Sequence, residues 1–74
     1  MGDIKYEIKK ELGIISENGK WKKEINIISW NGYDGKYDVR SWGEDREKMG
    51  KGITLTREEA KELVRLLIAD GCGE

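Results

Sequence analysis

Seventy-four residues carrying 14 Lys or Arg against 15 Asp or Glu, for a net charge of −1, make one small domain without the positive excess of a protein that grips nucleic acid by bulk charge. With no His and one Cys, Cys72, an internal disulfide and a Cys/His metal site are both excluded. A core this small is marginal on its own, so oligomerisation is the expected support.

One free thiol fits a reducing compartment. No apolar run approaches the roughly 20 residues that span a bilayer, and MGDIKYEIKK has no signal-peptide pattern. The chain is read as cytoplasmic, with association to the nucleoid left open and no membrane partner. The sequence is treated as a single domain over residues 1–74, with an ordered core over about 4–70 and a flexible tail at 71–74 that holds the thiol. Charge is spread unevenly: residues 20–52 hold eight basic and six acidic side chains, and residues 53–74 hold three and five.

In chain order, residues 4–16 alternate as a half-buried strand, with Ile4, Tyr6, Ile8, Leu12 and Ile14 on one side and Gly13 marking a bend. Glu17-Asn18-Gly19-Lys20 is a hairpin signal of the type I′ kind. The second strand, Trp21 to Trp30, puts Ile25 and Ile27 toward the core and Lys22, Ile28 and Trp30 on the opposite face. A turn at Asn31–Gly35, with a solvent-prone Tyr33, leads to a third strand from Lys36 to Trp42. There Tyr37 and Val39 belong to the core, and Lys36, Arg40 and Trp42 to the other side. Gly43 to Lys51 reads as a solvated, charged loop. Residues 52–55 form a short fourth strand, and Thr56 with Glu59 makes the capping box of a helix that carries Ala60, Leu63, Val64 and Leu67 on one stripe and ends at Asp70-Gly71. The predicted fold is α+β: a curved four-stranded antiparallel meander followed by one C-terminal helix.

Trp21 shares the parity of Ile25 and Ile27 and is read as packing, whereas Trp30 and Trp42 have the parity of an exposed surface. Exposed aromatics interleaved with cations suit single-stranded nucleic acid, because every base has a π face and stacking contributes about 1–3 kcal/mol per base. Lys22, Lys36 and Arg40 have the parity to meet phosphates beside those rings, and Lys48 and Lys51 reach from the loop. The same face also suits a protein-interaction module. Enzyme signatures are thin: Met49-Gly50-Lys51-Gly52 lacks the phosphate-loop spacing, and no cofactor motif is present.

KYDVRSW, a charged loop and then KGITLTREE leading into a helix resemble the DNA-binding domain of the positive cofactor 4 (p15) transcriptional coactivator family, in particular its compact bacterial YdbC-like members. The resemblance implies a homodimer joined through helices and last strands, with single-stranded DNA running over the β-ribbons with little sequence preference. It places Trp30 and Trp42 where that family stacks bases, and Lys36, Arg40 and Lys51 at cationic positions, with Lys22 a looser match. The function it implies is a non-enzymatic accessory to transcription, replication or repair, with that machinery as a further partner. Single-stranded RNA and a protein partner are the alternatives. The absence of a basic or serine-rich tail departs from the family pattern and bears on a coactivator role.

Overall fold

The computed structural model describes residues 5–73; Ile4, named in the first-strand stripe, lies outside them. Strands β1 (Tyr6–Asn18), β2 (Trp21–Trp30), β3 (Lys36–Trp42) and β4 (Met49–Leu55) form one antiparallel sheet in the order β1-β2-β3-β4, and helix α1 (Arg57–Ala69) follows. The fold is the expected meander with one C-terminal helix.

The two hairpin turns exchange their expected chemistry. Asn18 pairs with Trp21, so Gly19-Lys20 is the loop, and of the two only Gly19 takes a positive φ, at 65°. The type I′ geometry instead belongs to Asn31-Gly32, where both residues are left-handed (φ 51° and 81°) and the Tyr33 N–H closes the turn on the Trp30 carbonyl at 2.9 Å. Asn31 also locks the start of β1: its N–H donates to the Lys5 carbonyl at 2.7 Å, and its Oδ1 accepts from the Lys5 N–H.

The charged loop is shorter than the sequence reading makes it. A single 3-10 turn spans Glu44–Arg46, and β4 already begins at Met49. Gly52, opposite Arg40, must be glycine: a Cβ there would lie 2.4 Å from the Val39 carbonyl oxygen. Thr56 caps α1 as predicted, in a reciprocal box with Glu59. At the other end the Gly71 N–H bonds to the Ile68 carbonyl and the Cys72 N–H to that of Leu67, a Schellman pattern. That cap ties the backbone as far as Cys72, whose thiol is exposed.

The strand faces are sorted as alternation requires, but the face that is covered is not the expected one. Three register slips in β1, at Ile8/Lys10, Glu11/Gly13 and Ile14/Ser16, break its single stripe. Tyr6 and Ile8 stand opposite Trp30 and Ile28, Leu12 falls within a slip, and Ile14 stands opposite Glu24 and remains 53% exposed. The inner face therefore combines Tyr6, Ile8, Ile28, Trp30 and Trp42 with Glu24, Asn26, Asp38 and Arg40. The four most deeply buried large side chains, Trp42, Ile28, Asn26 and Asp38, all lie on it. The outer face, where Ile25, Ile27, Tyr37 and Val39 were expected to form the core, is only half-buried. Helix α1 touches β3 and β4 and has no fully buried residue.

Candidate nucleic-acid interface

On the inner face an aromatic cluster is built from both ends of the sheet. Tyr6, opposite Trp30 in the β1–β2 pairing, packs its ring 5.6 Å from that of Trp30 and 5.7 Å from that of Trp42, tilted by 42° and 40°. The Arg40 guanidinium sits 5.2 Å from the centre of the Trp30 ring, a cation–π contact. The same guanidinium makes a two-pronged pair with Asp38 (3.1 and 3.0 Å) and donates to the Gly50 carbonyl at 3.0 Å. Thr54 supplies a further donor to Asp38 at 3.0 Å. A carboxylate with no exposure is tolerable only because three donors surround it. Arg40 is thus a fixed cation that faces Trp30, and part of its charge is spent on Asp38.

Beside this cluster lies an open cleft of about 470 Å³, lined by Trp30, Asn31, Tyr33, Asp34, Lys36, Arg40, Met49 and Thr54. Three of the sequence-derived site residues, Trp30, Lys36 and Arg40, meet there. Trp30 is half-buried and presents part of its ring, Lys36 is exposed, and Tyr33 stands at the rim with 74% exposure. Lys22 lies elsewhere, in a second cleft of about 660 Å³ whose charged lining is Glu11, Glu24, Glu44 and Asp45 against Lys20, Lys22 and Arg46. Four carboxylates against three cations disfavour phosphate there; in the first cleft Arg40 is already paired with Asp38, and Lys36 is the cation left to meet a phosphate, with Asp34 beside it. Lys48 and Lys51 are exposed at the loop and on β4, outside both linings.

Two expectations are corrected. Trp42 is not a surface ring: its exposure is 0%, because the slips in β1 bring Tyr6 across it and the bulge between the Arg40 and Trp42 pairings turns the end of β3 inward. The charge run is not wholly solvated either. Arg46 reaches back to Glu24, on which both Nε (3.1 Å) and Nη2 (2.7 Å) converge, and also bonds Glu11. Those hydrogen bonds, which Arg46 donates to Glu11 and Glu24, raise its pKa still further, so it is a permanent cation pinning the loop to β1 and β2.

Sequence reasoning missed Tyr6, Tyr33, Asp38 and Met49 as parts of this site. Asp38 carried a usable signal, since it shares a strand face with Arg40 two residues on. Tyr33 carried one in the exposed turn that holds it. Tyr6 carried none, because a straight pairing count from the first hairpin misses its partner by three positions.

The sequence profile described as Transcriptional Coactivator p15 (PC4) matches residues 17–66, which takes in β2, β3, β4 and most of α1. An uncharacterized protein of Treponema pallidum (strain Nichols) is 48% identical over 66 residues, a span of 88% of this chain and 78% of that protein.

Proposed function

The chain belongs to the Transcriptional Coactivator p15 (PC4) family, and on that premise we propose that it binds single-stranded DNA with little sequence preference through the inner face of its sheet. The observation that carries this reading is the open cleft where a half-buried Trp30, backed by the Arg40 guanidinium, lies beside Lys36 and an exposed Tyr33. Stacking on Trp30 and Tyr33 is indifferent to base identity, and Lys36 meets the phosphates, with the exposed Lys48 and Lys51 beyond the cleft as further cations. The role is that of a cytoplasmic accessory to transcription, replication or repair, without catalysis.

The working unit in this reading is a homodimer. Leu63, Val64, Leu66, Leu67 and Ile68 of α1 are 40–65% exposed and Ile53 of β4 is 56% exposed, so a second copy has apolar side chains on both elements to cover. The test is a titration of tryptophan fluorescence with oligo-dT at several salt concentrations. Quenching that weakens with salt, by a log–log slope of about −0.7 per phosphate contacted, supports the proposal. A folded protein whose fluorescence ignores the oligonucleotide at low salt overturns it. Competition with the matching RNA oligomer separates DNA from RNA as the preferred strand.

A further inference from the structure

The aromatic cluster is closed in the free protein, and the residue that closes it comes from the chain itself. Trp42 has no exposed surface, yet its ring lies against Tyr6, which is 39% exposed and the outermost of the three rings. Trp30 meets the same Tyr6 ring. The indole N–H groups of both Trp30 and Trp42 are buried and have no hydrogen-bond partner among the described residues. A buried donor left unpaired is costly, so this packing gains whenever an acceptor reaches it. The acceptors that single-stranded DNA brings are base carbonyl and phosphate oxygens.

We propose that Tyr6 is an intramolecular stand-in for a nucleobase: its ring fills the stacking position over Trp30 and Trp42 and is displaced when a single strand binds. The proposal rests on the single-strand reading above and adds a competitor to it. The local backbone makes displacement a side-chain event. Lys5 is bonded twice to Asn31, and Tyr6 stands in register opposite Trp30, so the strand stays in place while the ring rotates. A partly exposed ring turns freely about its side-chain bonds on a timescale far shorter than binding. Tyr6 accordingly lowers affinity by competition, and the strength of its own stacking sets the size of that effect.

Oligo-dT affinity across a Tyr6 series tests this in the full chain. Tyr6→Ala binds about five- to a hundredfold tighter than the wild type, the range to which loss of its two aromatic pairs converts. Tyr6→Phe matches the wild type, because the ring and not the hydroxyl competes, and Tyr6→Trp binds more weakly. Tyr6→Leu keeps apolar cover without a stacking face and is also tighter, which serves if Tyr6→Ala folds poorly by circular dichroism. Wild-type binding that is unchanged or weakened in folded Tyr6→Leu overturns the stand-in and makes Tyr6 a spectator or a contact. Wild type and variants that all ignore the oligonucleotide overturn the single-strand reading instead.

Discussion

The two faces of the sheet solve the problem of a small core in opposite ways. The inner face carries the charges, yet outside the cleft at Trp30 and Lys36 it is closed within one chain: Asp38 is matched to Arg40 and Thr54, Glu24 to Arg46 and Asn26, and Trp42 and Ile28 have no exposure. The outer face and helix α1 carry the clean apolar pattern, yet the chain leaves the face half-buried and no residue of α1 fully buried. Apolar spacing shows where a surface must be covered and is silent on what covers it. Here the covering that the chain supplies itself depends on paired ions and rings, and the covering it lacks is apolar, as an association surface requires.

The largest effect comes from opening the inner face. Asp38→Ala leaves the Arg40 guanidinium, whose side chain is only 14% exposed, without its carboxylate. Removing one partner of a buried pair costs about 3–5 kcal/mol, and urea denaturation should read a loss of that order. A loss below about 1 kcal/mol, the range of an exposed pair, would show that water screens this corner and that the inner face is less closed than its geometry.

On α1, Leu67→Asp is a test of association. Leu67 is 45% exposed in the single chain, so the substitution should cost an isolated subunit only about 1 kcal/mol, from weaker helix propensity and a negative charge in the last turn of α1. If a second copy covers it, losing that apolar contact costs about 2 kcal/mol or more, and sedimentation equilibrium should show monomers where the wild type is dimeric. A wild type that is monomeric at high micromolar concentration breaks the contrast between the faces from this side. Thr56→Ala is smaller. It removes the side-chain acceptor for the Glu59 N–H at 3.1 Å and should cost about 1 kcal/mol in thermal unfolding, without altering oligonucleotide affinity in the folded protein.

The elements were legible because their signals are local. Thr56 and Glu59 are three residues apart, Gly71 ends the helix it follows, and alternation in β2 and β3 assigns every side chain to a face. Which face is the interior was not legible, because the deciding contacts are remote. Arg46 joins Glu24 across 22 positions and Glu11 across 35, and Tyr6 reaches Trp42 only after three slips in β1. The same remoteness hid half of the candidate site. Trp30, Lys36 and Arg40 share a cleft as their parity suggests, whereas the burial of Trp42 follows from a strand whose bulges leave only Gly13 as a trace in the sequence.

The smallest effect sits on α1 but belongs to neither face, which makes it a control for both. Arg65 donates from Nε to Glu62 at 2.8 Å, with a second bond from Nη2, one turn apart on the solvent side of the helix. This hydrogen bond holds the Glu62 carboxyl below its ordinary value of 4.5. A carboxylate whose pKa is lower folded than unfolded adds stability that is complete above the unfolded value and is lost as pH falls through the folded one. Thermal unfolding should therefore show a slight loss below about pH 4.5 that vanishes in Arg65→Gln, because without the guanidinium both states bind the proton alike. The pair is solvated, so the loss should be small and should shrink further in salt. Subunit mass and oligonucleotide affinity at neutral pH should be the same in Arg65→Gln as in the wild type. A change in mass would place this side of α1 within the association surface, so that the covered surface wraps round the helix past Leu66 and Ile68 to the Glu62–Arg65 pair.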